Sequence, residues 1–363
     1  MEKKPTKMDE AITELITSYN ELNSSSIIEL HHEPSPLEFM RFVAKNTPFV
    51  VRGGAADWKA IRTWSVDYLK ATLADEQVNV AVTPFGNADA PTPHPDGSLV
   101  FAKPYEELQS FPEFLDYLIQ QEHNPDDSPS EVRYAQTQNN NLPTEYPLLA
   151  PDVPTSIPFA HIALSPPTNS PASPAQQQHT LPDATNLWIG NSHSTTALHR
   201  DAYENIYVQV RGRKEFVLLP PACQPCVNET SLRGATYRRR TPSSPGPSEG
   251  EGEGGLELVL DADGNEDGDE GEGEVPFAPI WDPDYPAQRA TRWSPLARAV
   301  RVELGEGDML YLPCLWYHKV SQECGDEGIC VAVNYWYDMD FAGPLYPFSN
   351  FVRAVGRLNA QSG

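Results

Sequence analysis

A β-sandwich or barrel carrying helices at its ends is the fold class this sequence predicts, on three observations. Short runs rich in β-branched and aromatic residues, separated by Gly and Pro, fill the chain after residue 180. Helical periodicity is concentrated before that point. Proline (36) and glycine (23) are plentiful, so much of the chain must be turn or loop. The 363 residues suggest about two domains by length alone, although β-barrels often run to ~200–250 residues as one unit.

The elements follow in order. Met8, Ile12, Leu15, Ile16, Tyr19 and Leu22 recur at helical spacing, which predicts an amphipathic helix laid against the body of the protein. The run 48-PFVVRGGAADW-58 is a short strand stopped by Gly-Gly, and 61-IRTWSVDYLKATL-73 contains a helix entered at Ser65. Residues 77-QVNVAVTP-84 alternate as a strand, and 111-FPEFLDYLIQQ-121 forms a second amphipathic helix with Pro112 in its first turn. Two low-complexity insertions interrupt the pattern, a Pro/Ser/Gln tract at 165–178 and an acidic tract at 241–274. Neither has the apolar surface to offset its ordering entropy, so both are expected to be disordered. Beyond them, 299-AVRVELGEGDMLYLPCLWYHKV-320 and 328-GICVAVNYWYDM-339 supply further strands.

The formal charge is −25, and about half of it comes from the twelve Asp/Glu of the acidic tract. Such a surface disfavours nucleic acid, whose phosphates need clustered Lys and Arg, and suits a basic protein or peptide partner. Five scattered cysteines do not make a disulfide scaffold, and Cys223-Gln-Pro-Cys226 lacks the second pair of a zinc ribbon. With no signal-peptide core and no apolar run long enough to span a membrane, a soluble cytoplasmic protein is expected. Arg233, Arg238, Arg239 and Arg240 suggest a nuclear signal as well, against which pairing with the adjoining acidic tract competes.

The chemistry concentrates in 196-TALHRDAYENIYVQVRGRKEFVLLPP-221. In an extended strand residues i and i+2 share a face, so His199 and Asp201 aim an imidazole and a carboxylate at one point. A third ligand is needed from another strand, and His318 is the candidate. Two histidines and one carboxylate on one face of an octahedron leave the remaining positions open, as in non-haem Fe(II) oxygenases. Lys214 follows the turn 211-RGR-213 and heads the returning strand, from which it can point into the barrel. A buried ammonium without an anion is costly, and a metal-bound dicarboxylic acid would supply the anion, with Thr196 and Tyr207 hydroxyls completing its hydrogen bonds.

The order of these motifs resembles that of the JmjC-domain oxygenases, and within them a small subgroup described as bifunctional peptidases and (3S)-lysyl hydroxylases. The likeness runs through 77-QVNVAVTPFGNADA-90, 186–221, 307-GDMLYLPCLWYHKV-320 and 331-VAVNYWYDM-339. It implies a mainly β fold with flanking helices, the double-stranded β-helix of the cupin or jelly-roll type. The organisation expected is an N-terminal region (1–130) packing on a JmjC/cupin domain (131–345), then a short C-terminal segment (346–363). It implies Fe(II) held by His199, Asp201 and His318, with 2-oxoglutarate and O₂ as cosubstrates. Thr196 and Lys214 would hold the distal carboxylate with Tyr134 as helper, while Asn205, Tyr207, Asn334 and Trp336 would line the same pocket. The activity implied is hydroxylation of a protein lysine, on developmentally regulated GTP-binding proteins, by an enzyme that forms a homodimer. The alternatives are a histone-tail peptidase or demethylase, and a catalytically inactive cupin used as a binding module.

Overall fold

Residue parity decides which way each barrel strand faces. A computed structural model describes residues 6–124, 131–165, 181–240, 255–262 and 273–361. In strand Tyr203–Arg211 the even residues Ile206, Val208 and Val210 join one core, whereas Tyr207 joins another on the opposite face. Strand Cys330–Asp338 divides likewise, with Val331, Val333, Tyr335 and Tyr337 on one side and Ala332 on the other. The major sheet has the order Ile28–Leu30, Phe49–Val51, Met309–Leu312, Tyr203–Arg211, Cys330–Asp338, Ala184–Gly190. The minor sheet has the order Val300–Leu304, Arg213–Leu219, Tyr317–Glu323, Thr196–Arg200. Both are antiparallel apart from the first pair of the major sheet. Phe216, Leu218, Val302 and Leu304 of the minor sheet meet Tyr207, Trp188 and Leu310 of the major sheet in one cluster, which is the barrel interior.

The other face of the major sheet is covered by the N-terminal half of the chain. Phe39, Trp64, Leu69, Phe111, Phe114, Leu115 and Leu118 share a core with Ile206, Val208, Val331 and Val333, so residues before 130 pack on the barrel. Helix Pro36–Lys45 is opened by a reciprocal Ser35/Glu38 capping box and closed by Asn46 in the left-handed region at φ 50°. Helix Val66–Thr72 is entered at Ser65, whose hydroxyl accepts from the Tyr68 amide, and helix Phe111–His123 buries Phe111, Phe114, Leu115 and Leu118. The first helix, Lys7–Leu22, buries only Ile12 and Ile16 of its stripe, whereas Met8 and Leu22 are exposed.

One expectation needs correction. The acidic tract is not wholly without structure, because Leu256–Leu260 is a strand paired with Ala235–Arg239. Its Leu-Glu-Leu-Val-Leu alternation is a strand pattern that the surrounding acidity conceals. The tract's last residue likewise opens strand Glu274–Pro279, while 241–254 and 263–272, like 166–178, lie outside the described residues. The C-terminal segment forms a 17-residue helix, Leu345–Gln361. Most of the arginine run lies on one strand, where Arg233 and Arg238 are exposed. Arg233, Arg238 and Arg239 belong to strand Glu229–Arg239, with Arg239 paired to Glu107 and Glu131.

Candidate active site

The site forms where the minor sheet opens the barrel. His199 and His318 are direct partners across antiparallel strands Thr196–Arg200 and Tyr317–Glu323, so both rings leave the same face. Their centroids lie 4.1 Å apart. Asp201 follows the first strand, and its Oδ2 is 3.7 Å from His199 Nε2 and 3.6 Å from His318 Nε2. One ligand atom from each residue falls within 4.8 Å of the others, a spacing that a single metal ion can bridge.

Each histidine is prepared for a metal. Nδ1 of His199 faces the Ala197 carbonyl at 2.8 Å, and Nδ1 of His318 faces the Trp316 carbonyl at 3.1 Å. A carbonyl accepts only a proton-bearing nitrogen, so the proton sits on Nδ1 and Nε2 keeps its lone pair. Burial, then the neighbouring His199, pushes the His318 imidazole down to about 4, with Asp201 and the Trp316 carbonyl working the other way. At neutral pH the ring is therefore uncharged.

Thr196 lies three residues before His199, which in a regular strand would turn it away. The register shifts between His318 and Val320, where Thr196 pairs with Val320 and His199 with His318. This bulge brings Thr196 back to the cleft that also contains His199, Asp201 and His318. The remaining expected residues, Tyr134, Asn205, Tyr207, Lys214, Asn334 and Trp336, line the same cleft.

Lys214 closes its inner end. The side chain is 2% exposed, and its ammonium donates to the Tyr134 hydroxyl at 2.9 Å. Tyr134 reaches this position beside Gly190, where a Cβ would come within 2.5 Å of its ring. Burial works against the ammonium, and the oxygens of Tyr134 and Tyr207 work the other way, with the balance keeping it protonated. Burial also raises both tyrosines, so they remain neutral phenols that offer lone pairs but no charge. Among the described residues no carboxylate lies within ion-pair distance of Lys214.

The other cleft residues also have donors to spare. Trp188 Nε1 donates to Asn334 Oδ1 at 2.9 Å, and Asn334 Nδ2 donates to Asn205 Oδ1 at 3.1 Å. This chain uses the carbonyl of Asn205 and leaves its amide nitrogen over. The indole nitrogen of Trp336 is buried without a partner, its ring stacked on Tyr203 at 4.7 Å. A surplus of donors around one uncompensated cation fits an acceptor-rich anion, and a dicarboxylate that also reaches the metal satisfies both ends.

Sequence reasoning missed Trp188 and Gln138, which also line the cleft. Trp188 had a signal, since it is two residues from both Asn186 and Gly190 on a strand paired with the one carrying Asn334. Gln138 sits beyond the strand Val132–Tyr134, where no periodicity marks it. Cys223 and Cys226 are buried and unpaired in a 3₁₀ turn that lies between Asp201 and His318 in sequence and does not line the cleft.

The chain is similar to known proteins over most of its length. The model of the cupin-like domain family matches residues 34–343. The chain is 34% identical over 313 residues to the human bifunctional peptidase and (3S)-lysyl hydroxylase JMJD7, covering 86% of this chain and 84% of that protein. It is 31% identical over 347 residues to JmjC domain-containing protein E of Dictyostelium discoideum, covering 92% and 90% respectively. The lysine-specific demethylase JMJ32 of Arabidopsis thaliana is 31% identical over 334 residues, covering 89% and 84%.

Proposed function

Because the chain belongs to the JmjC family of cupin-like proteins, we propose that it is an Fe(II)- and 2-oxoglutarate-dependent hydroxylase of protein lysine side chains. The observation that carries this reading is the pairing of a three-ligand face with a buried ammonium that has no anion of its own. When bound, iron supplies activation of O₂ coupled to decarboxylation of 2-oxoglutarate. The protein's part is placement. His199, Asp201 and His318 would hold the ion, which with three protein ligands would keep room for the cosubstrate and O₂. Lys214, Tyr134 and Thr196 receive the distal carboxylate, while Asn205 and Trp336 offer their spare N–H groups to the cosubstrate. Tyr207, Trp188 and Phe216 keep water from the inner end.

A lysine substrate is supported by the human relative's name and by the acidity of this chain, which favours encounter with a basic segment. We place that lysine in a developmentally regulated GTP-binding protein. The test is incubation of a lysine peptide from such a protein with enzyme, Fe(II), 2-oxoglutarate and O₂, which should add one oxygen to the lysine. An untouched lysine, with an arginine oxidised instead, would reject the lysyl reading. The Arabidopsis relative's name supports demethylation as the second reading, which would show as formaldehyde released from a methyl-lysine peptide.

Two further proposals accompany this. Helix Leu345–Gln361 exposes Phe348, Phe351 and Leu358 on one side at helical spacing, which supports a homodimer formed through that helix. A Phe351→Glu variant should run as a monomer. All five cysteines are unpaired, which supports a reducing compartment, the cytoplasm with the nucleus as a second location.

A further inference from the structure

We propose that Asp89 is the specificity-determining carboxylate that receives the ammonium of the substrate lysine. The inference rests on the lysyl reading above and adds to it the residue that tells lysine from other side chains.

Two attachments tie the segment that carries Asp89 to the strand that carries His199 and to the residue before it. On its N-terminal side, the Gly86 carbonyl accepts from the Thr195 amide at 2.8 Å. That contact requires glycine, because a Cβ at Gly86 would come within 2.0 Å of the His193 carbonyl and φ is +68°. On its C-terminal side, strand Ala90–Pro93 packs against strand Thr196–Arg200, which carries His199. The Asp89 carboxylate is held at one oxygen by Gln136 Nε2 at 3.0 Å, two residues beyond the pocket residue Tyr134. Its other oxygen has no partner among the described residues.

The charge of Asp89 is likewise unmatched. It shares an open groove with Glu106, Tyr105, Tyr237 and Arg238, and among the described residues no cation lies within ion-pair distance of either acid. Lys103 in that groove is taken by Asp261 at 3.1 Å, and Arg239 by Glu107 and Glu131. Burial raises the Asp89 carboxyl above the ordinary range against the Gln136 hydrogen bond, with Glu106 adding to the rise and the more distant His199 and Lys103 opposing it, yet the side chain stays open to solvent. A cation arriving from solvent relieves the mutual repulsion of the two acids. Independently, the Ser194 hydroxyl is buried at 4% residue exposure with no partner. It lines a small chamber with Ala88, Gln136 and Thr196, between Asp89's support and the cosubstrate wall. A ligand group placed there satisfies it.

The chemistry fits lysine. The ammonium lies several bonds beyond a carbon near the backbone, so a carboxylate beside the metal rather than on it can hold the side chain while that carbon faces the ion.

The test compares two peptides that differ only in the target residue, lysine or the uncharged isostere norleucine, on Fe(II)-loaded wild-type protein, Asp89→Asn and Asp89→Glu. Asparagine keeps the oxygen that Gln136 bonds and removes the charge. The expected result is a KM for the lysine peptide raised about tenfold in Asp89→Asn, no change for the norleucine peptide, and partial recovery in Asp89→Glu. If Asp89→Asn keeps the wild-type KM for lysine, or loses equally on both peptides, the assignment is wrong although the lysyl reading stands. If wild-type protein oxidises neither peptide but does oxidise an arginine or methyl-lysine peptide, the lysyl reading fails and Asp89's role fails with it.

Discussion

Replacing Lys214 by methionine separates the cost of its charge from the worth of its packing. The ammonium is 2% exposed and held only by neutral oxygens, and methionine keeps most of the stem. In the ligand-free protein the change should be neutral or stabilising, because it removes a buried charge that has no anion. With 2-oxoglutarate bound, the same change breaks a buried charge pair and should cost ~2–5 kcal/mol. At 1.4 kcal/mol per decade, that weakens binding by about 30-fold to about 4,000-fold. Anaerobic calorimetry of the Fe(II)-loaded protein reads the affinity, and urea unfolding reads the stability. At a cosubstrate concentration 100 times its Kd, wild-type protein should gain about 2.7 kcal/mol, whereas the variant at that concentration should gain less than about 1 kcal/mol. A variant that loses stability without ligand, yet keeps the full gain with it, would refute the pocket drawn around Lys214.

Other predictions follow from single contacts. His199→Ala or Asp201→Ala should leave the protein folded by circular dichroism but abolish stoichiometric Fe(II) binding, since two ligands remain of three. Glu204 is buried and accepts from Tyr311 Oη at 2.6 Å and the Cys314 amide at 3.2 Å, tying the segment after Asp201 to the loop before His318. Glu204→Ala should cost ~2–5 kcal/mol by stranding those donors, and Glu204→Gln much less, as urea unfolding will show. Burial raises the Glu204 carboxyl above its usual 4.5 despite those bonds. A raised acid stabilises the fold below its unfolded pKa and loses that contribution as pH rises through the folded one. Stability measured from pH 4 upward should therefore fall for wild type relative to Glu204→Gln, and parallel curves would contradict it. Replacing Leu256–Leu260 with Gly/Ser should raise amide exchange in Ala235–Arg239, the strand it pairs with.

What the sequence revealed of the site was what local geometry governs. The His-x-Asp spacing placed two ligands on one face, and the turn at Gly212, at φ +69°, set Lys214 at the head of its strand. His318 required a guess at strand pairing, which no local pattern contains, although its pairing with His199 is the simplest feature of the minor sheet. Thr196 was assigned despite the wrong parity, and only the bulge opposite Val320 explains why it belongs. In the fold, the half-buried strand Leu256–Leu260 lost out to the composition of its neighbours, because an average over a tract hides a five-residue strand. Glu204 had no signal, since its donors come from residues more than a hundred positions away.

The most direct measurement of the central claim is oxygen bookkeeping on a lysine peptide turned over under ¹⁸O₂. A 2-oxoglutarate-dependent hydroxylase puts one oxygen atom from O₂ into the lysine and the other into succinate, in equal amounts, and His318→Ala protein should do neither. Oxygen derived from water, or lysine modified without matching succinate, would contradict the account.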